Sequence, residues 1–277
     1  MQRLRRLLRQ RSARRADGAF VVEGVKVLAA ALDAGAPVEA VYYGPEALRA
    51  AVAVAFLERA RASGLRVFAL QAGVVERVAD TTTPQPVLAV VGRVDVELEP
   101  LLDPAPADYP APVVVCVDVR DPGNLGSIVR SADASGAAAV VCCDGSADLY
   151  SPKTVRASAG SLFHVPLVAE RTAAEVLTAL GRARYLRVGT AARDGADYAA
   201  AELGGRVALV LGNEGHGLDD ALAPSIDAFV SIPMAGRAES LNVAMAATVL
   251  CFELARRRRL RGTDTAPRVP LADLRLR

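Results

Sequence analysis

The chain has no tryptophan, and six phenylalanines and six tyrosines make up all of its aromatic residues. A core must therefore be assembled from small aliphatic side chains, chiefly Ala and Val, with little aromatic surface left for stacking on a ligand. Histidine occurs twice and cysteine four times, at Cys116, Cys142, Cys143 and Cys251. All four thiols lie in apolar runs without metal-ligand spacing, which argues against zinc and disulfides and for reduced core thiols. No run of about 18 apolar residues is present, so the sequence offers no membrane span. The Arg-rich start is not followed by the apolar core and cleavage site of a signal peptide, and a cytoplasmic, metal-free protein is expected.

Lysine is scarce as well: Lys26 and Lys153 stand against 31 Arg. The net charge of +2 conceals an uneven distribution. Residues 1–15 carry seven Arg and no acid, and residues 256–277 carry eight Arg against Asp264 and Asp273. The ends together hold a charge of +13 and the remainder −11. Basic ends suit a polyanion such as nucleic acid, although a solubilising tail has the same composition. With 277 residues, 52% hydrophobic and 23% charged, the chain has the makeup of a packed globule of one large or two modest domains.

Periodicity divides it in two. Residues 3–15 read as a basic amphipathic helix, followed by strands at "AFVVEG", "VEAVYYG", "RVFAL" and "VLAVVGRV" that alternate with helices over 25–34 and 46–63. Residues 100–112, "PLLDPAPADYPAP", carry five prolines and read as a linker. Beyond it, "VVVCVDV", "AAVVCCD", "FHVPLV", "YLRVGTAA", "RVALVLG" and "AFVSIPM" read as strands, with helices over 125–135, 152–161, 172–182 and 240–259. Continuous apolar strands between helices predict a mostly parallel α/β sheet covered on both faces.

In such sheets ligands collect at the carboxyl ends of strands. Three of those ends stand out. In "VDVRDPGNLGSIVRSADASG", Asn124 is expected to N-cap a helix from Leu125, and Arg130 to follow on the side of Ser127; plain capping and a solvated charge are the alternatives. In "LVLGNEGHGL", three glycines let backbone amides approach a ligand, while Glu214 at a buried strand end needs a partner. The loop is neither a P-loop nor a dinucleotide fingerprint, and His216 is either a proton-transfer group or an exposed loop residue. In "SIPMAGRAESLNVAMA", Ser240 is expected to N-cap the last helix, whose free amides would receive a polar or anionic group, and Glu239 is a first-turn charge.

Together the three loops resemble, in order, spacing and strand-end context, the three motifs of SPOUT-class methyltransferases, specifically the TrmH (SpoU) family of RNA ribose 2′-O-methyltransferases. "LYSPKTVRASAGSLFHVPLV" is similar to that family's segment between its first two motifs, and "FVVEGVKVLAAALDAGAPVEAVYY" to the L30e-like substrate-binding domain of many members. The resemblance implies an α/β fold with a mostly parallel sheet and a C-terminal deep trefoil knot, plus a smaller N-terminal α/β domain. It divides the chain into an RNA-binding domain at 1–99, the linker at 100–112, a catalytic domain at 113–262 and a basic tail at 263–277. It further implies S-adenosylmethionine cradled around Thr190, Gly212, Asn213, Ile232, Met234 and Leu241, and a homodimer with functional residues Asn124, Arg130, Glu214, Ser240 and Asn242. RNA would be met by Arg5, Arg6 and Arg9 of the first helix, with Arg156 and Ser158 near the target nucleotide. Ala244 stands where the family often has Ser.

The favoured substrate is 23S ribosomal RNA, at a guanosine, in a housekeeping or antibiotic-resistance role. Transfer RNA and a non-catalytic RNA-binding dimer are the alternatives, while a dehydrogenase fails on the missing early glycine fingerprint. The family's usual assignment of Arg130 as the base sits badly with a guanidinium pKa above about 12. Clamping a phosphate or stabilising an alkoxide suits that group better.

Overall fold

The computed structural model describes residues 1–78, 84–102 and 111–261. Most of the expected linker and the whole tail at 263–277 lie outside the described residues. The basic start forms two helices, α1 (Gln2–Arg9) and α2 (Arg11–Asp17), where one was expected. The break at Gln10 is held by Arg14, whose Nη1 donates to the carbonyls of Leu7 and Leu8 at 2.6 and 3.3 Å and so caps the end of α1.

The first lobe continues through β1 (Ala19–Glu23), α3 (Val25–Asp33), β2 (Val38–Tyr43), α4 (Ala51–Ala62), β3 (Val67–Ala69), α5 (Val74–Val78) and β4 (Val87–Gly92). The helix expected over 46–63 is split by a 3-10 turn at Pro45–Arg49. The four strands order as β1-β4-β2-β3, antiparallel except for the β2–β3 pair.

The second lobe comprises α6 (Glu99–Leu102), β5 (Val113–Cys116), α7 (Pro122–Ser135), β6 (Ala139–Cys143), α8 (Pro152–Ser158), β7 (Leu167–Arg171), α9 (Ala173–Arg182), β8 (Leu186–Thr190), β9 (Ala196–Asp197), β10 (Val207–Leu211), β11 (Ala228–Ser231) and α10 (Val243–Leu260). Its seven strands are all parallel, in the order β7-β6-β5-β10-β8-β11-β9. The uninterrupted apolar runs of β5, β6 and β10 are buried at every residue, as burial on both faces requires. The strand expected at "FHVPLV" begins only at Leu167, because Ser161–Phe163 forms a 3-10 turn and Pro166 precedes the ladder. The hydrogen bond with Cys142, together with burial, pushes the Cys116 thiol well up, and burial pushes Cys251 up to about 12, so both are packing groups.

The lobes share one core. Phe20 of β1 lies 4.6 Å from Tyr150 and 6.2 Å from Phe163, ring centre to ring centre. Around them runs a polar seam. Arg14 pairs with Asp148 at 2.7 Å, Arg93 with Asp95 at 2.9 Å and with Glu170 at 2.9 Å, and the Tyr150 hydroxyl donates to Asp95 at 2.6 Å. The Val96 amide bonds Leu167 at 2.8 Å, so the chain is already attached to the large sheet before the expected boundary at 99.

Two arginines of the basic run on the last helix are turned into the protein. Arg257 donates to the carbonyls of Tyr198, Ala199 and Ala201, Arg258 is buried and donates to Gly136, and Arg256 pairs with Glu253. The reading of this run as a polyanion-binding surface is thereby corrected for Arg257 and Arg258, while Arg256 stays exposed. Among the described residues no helix is long and apolar enough to cross a membrane.

Candidate active site

The carboxyl ends of β5, β8, β10 and β11 open on one side of the large sheet, and the loops that follow β8, β10 and β11 enclose a cleft of about 830 Å³. At the end of β10 the chain doubles back on itself. The amides and carbonyls of Asn213 and Gly217 pair at 2.9 and 3.0 Å, and Gly217 takes φ +72° to allow it. The turn is so tight that a Cβ on Gly212 would lie 2.4 Å from the carbonyl carbon of Gly217, which only glycine avoids. The Asn213 side-chain Nδ2 donates to the Asp118 carbonyl at 3.0 Å and carboxylate at 3.1 Å, tying this loop to the one after β5. Asp118 itself sits at φ +54°, a strained conformation for a residue with a side chain.

A single chain of hydrogen bonds joins three of the loops. Glu214 accepts from the Asn124 side chain at 3.0 Å and from the backbone amides of Asp121 and Arg120 at 3.2 and 3.3 Å. Asn124 in turn accepts from the Asn242 side chain at 2.9 Å. Asn242 then accepts from the amides of Ala244 and Met245 at 2.9 and 3.4 Å. Partial desolvation opposes ionisation of Glu214, but the Asn124 and backbone donors outweigh it and hold the carboxyl below the usual range. Glu214 is thus exposed and ionised, not buried as its strand-end position suggested.

Two caps differ from expectation. Helix α7 begins at Pro122 and its cap is Asp121, which accepts from the amides of Gly123 and Asn124; Asn124 is left free for Glu214. The Asp–Pro pair, a cap followed by the favoured first helical residue, is the sequence signal for this start. Helix α10 begins at Val243 and its cap is Asn242, not Ser240.

Replacing Asn242 by Ala should therefore cost about 1 kcal/mol in denaturant unfolding, a typical cap loss. Asn242→Asp retains the cap oxygen and should unfold like the parent while losing the donor to Asn124. Equal destabilisation by both would count against the cap.

Thr190, Gly212, Asn213, Ile232, Met234 and Leu241 all line the cleft, as do Glu214, Ser240 and Asn242. From Met234 to Leu241 the backbone makes no hydrogen bond among the described residues. Arg193 and Glu239 face each other across the cleft rim at 3.7 Å, and His216 stands 3.6 Å from Asp118. Neither rim pairing was legible in the sequence, since each joins separate loops.

Arg130 is not part of this wall. It is exposed on α7, about 9 Å along the helix from Asn124, and makes no hydrogen bond or ion pair among the described residues. Arg5, Arg6 and Arg9 lie on the exposed side of α1, with Arg6 paired to Asp17 at 3.3 Å. Arg156 is partly exposed beside Glu23. Ser158 corrects the expectation of a nucleotide contact: it is fully buried and its hydroxyl donates to the Val155 carbonyl at 2.8 Å. No group of three or more His, Cys, Asp and Glu among the described residues is placed to hold a metal.

Comparison with known proteins points the same way. Residues 111–252 match the model of the SpoU rRNA Methylase family, and residues 2–89 match the MRM3-like substrate binding domain. The chain is 39% identical over 195 residues to the 23S rRNA (guanosine(2553)-2'-O)-methyltransferase RlmP of Bacillus subtilis, covering 69% of this chain and 73% of that one. It is 34% identical to a 23S rRNA (uridine(2479)-2'-O)-methyltransferase of Streptomyces viridochromogenes, over 96% of this chain and 92% of the relative. The crystal structure of the SpoU methyltransferase AviRb from Streptomyces viridochromogenes, in complex with AdoMet, superposes with a TM-score of 0.83 at 33% identity, covering 93% of this chain and 97% of that one. An AdoMet-bound rRNA methyltransferase from Sinorhizobium meliloti gives 0.77 at 32% identity, covering 92% and 94%. Sequence, fold and the linked loops agree, and the chain belongs to the SpoU rRNA methylase family.

Proposed function

We propose that the protein transfers a methyl group from S-adenosylmethionine to a ribose 2′-oxygen of 23S ribosomal RNA, at a guanosine. The observation that carries this reading is the Glu214–Asn124–Asn242 chain, which locks three strand-end loops around one cleft. The cleft fits the cofactor: apolar Ile232, Met234, Leu241 and Leu250 suit an adenosine face, and the unbonded backbone of 234–241 supplies donors and acceptors for its polar edges. Thr190, Gly212 and Asn213 complete that cradle.

When bound, S-adenosylmethionine supplies a methyl group already activated on a sulfonium. The chain's own task is alignment, which contributes up to about 7–11 kcal/mol when geometry is right. Asn124, Glu214, Ser240 and Asn242 orient the loops and the ribose by hydrogen bonds. Arg130, unpaired and exposed among the described residues, holds the neighbouring phosphate or the developing alkoxide. Arg5, Arg6, Arg9 and Arg156 meet the RNA backbone, residues 1–99 forming the substrate domain and 113–262 the catalytic one.

A homodimer and a knot belong to the same reading. Met245 and Phe252, one face of α10, are 61% and 43% exposed and suit a second copy packing beside the cleft. For the knot, the strand order is the support: residues 191–206 leave β8, pass β11 to reach β9, and return to β10 on the far side of β8. Arg257 of α10 binds the carbonyls of that same segment. We place the protein in the cytoplasm, with its substrate.

The test is to incubate unmodified 23S ribosomal RNA with the protein and methyl-labelled S-adenosylmethionine, then map the product. One alkali-resistant 2′-O-methyl nucleotide is expected. Methylation of a base, or of transfer RNA alone, refutes the proposal.

A further inference from the structure

The seam between the lobes contains one buried acceptor without a hydrogen-bond partner among the described residues. Glu23 closes β1, its side chain is 4% exposed, and its Oε1 accepts from the Gln85 amide at 2.7 Å. Its Oε2 is buried without a hydrogen-bond partner among the described residues. The Arg156 Nη1 stands 3.6 Å from it, close enough for attraction and too far for a hydrogen bond. A buried carboxylate oxygen left in this state is costly, so the site favours any motion that brings the guanidinium closer.

Arg156 sits where such a motion has a consequence. Helix α8 is locked onto α7: a Cβ on Gly126 would lie 2.5 Å from the Thr154 carbonyl oxygen and 2.6 Å from the Ala157 Cβ. Gly126 is two residues beyond Asn124, so α8 shares the frame of the helix that carries both Asn124 and Arg130. Glu23 is the only ion-pair partner of Arg156 among the described residues. The Arg156 side chain is partly exposed and makes no hydrogen bond among the described residues, so its five N–H donors remain available to a ligand.

We propose that Glu23, a residue of the small lobe, is a positioning residue that holds Arg156 of the large lobe for a phosphate of the bound RNA. This rests on the function proposed above and adds to it a link between the lobe that binds the substrate and the helix pair that carries the reaction. One edge of the guanidinium closes on Glu23 Oε2 while the other engages the phosphate bidentately, a geometry that Lys cannot reproduce. The carboxylate neutralises the buried edge and fixes the torsions of a long side chain before RNA arrives.

The test turns on a sign. Glu23→Gln removes a negative charge near a polyanion, so a bystander would leave turnover of 23S ribosomal RNA unchanged or raise it. A positioning residue instead lowers kcat/KM, by about tenfold for a misplaced contact. The expected result is that loss with S-adenosylhomocysteine affinity and Tm unchanged, and with no further loss when Glu23→Gln is added to Arg156→Ala. Arg156→Lys, at a partly exposed position that keeps the fold if Glu23→Gln does not, should match Glu23→Gln. Unchanged or raised kcat/KM in Glu23→Gln, additive losses in the double variant, or parental activity of Arg156→Lys overturns the proposal. A parent protein that methylates no ribose in 23S ribosomal RNA refutes the function instead. In that event the binding constants of the same variants for that RNA, ordered as above or not, decide the role of Glu23.

Discussion

Arg130→Ala is expected to lower methyl transfer to RNA by at least about 10²-fold while leaving S-adenosylmethionine affinity within a few-fold. The separation follows from position. Arg130 lies outside the cleft wall, is exposed, and makes no hydrogen bond or ion pair among the described residues, so its removal disturbs neither the fold nor the cradle. Whatever it contributes is made only with RNA present. Arg130→Lys should recover part of the loss, since a point charge replaces the charge but not the two-pronged donor. Single-turnover transfer and calorimetric titration of the cofactor, run on the same preparation, measure the two quantities. Near-parental turnover in Arg130→Ala would sink the assignment. A matching loss of cofactor affinity would place Arg130 in the cradle instead.

Gly212→Ala should have the opposite signature, a loss of cofactor affinity exceeding about 10²-fold, since a backbone displacement at the ligand is comparable to a misplaced reacting group. The new methyl would meet the Gly217 carbonyl carbon at 2.4 Å and oxygen at 2.5 Å. Both are main-chain atoms in a turn closed by two backbone hydrogen bonds, so no side chain can swing away. The turn must open, carrying Asn213 from Asp118 and Glu214 from Asn124. Strand β10 behind it is packed throughout and keeps the domain folded, which circular dichroism would verify. Gly215→Ala is the control: its Cβ would meet nothing closer than the Asn213 side chain at 3.5 Å, and binding should be near normal. Parental affinity in Gly212→Ala would mean that the loop is not a cofactor wall.

Much of this could be read from the chain alone, for local reasons. Val113–Cys116 and Val207–Leu211 announce doubly buried parallel strands because every residue in each is apolar. The glycine spacing of "GNEGHG" marks a backbone turn because only glycine tolerates it. Family membership followed from three such loops in order.

Other features depended on residues far apart in sequence, and there local reading failed. Asn124 and Ser240 both look like caps; what decides against them is that Asp121 and Asn242 serve, and that Asn124 is needed by Glu214, 90 residues away, and by Asn242, 118 away. Charge on Arg257 and Arg258 suggested RNA, but a guanidinium is equally a donor for carbonyls, and only folding brought the carbonyls of Tyr198, Ala201 and Gly136 within reach. Likewise the proline-rich stretch at 100–112 reads as a linker, and only the folded chain shows Phe20 of the first lobe packed against Tyr150 and Phe163 of the second. Backbone conformation and strand burial are properties of a few neighbouring residues, and composition discloses them. Which polar group satisfies which is a property of the assembled surface, and it arises only when distant segments are brought together and water is excluded between them.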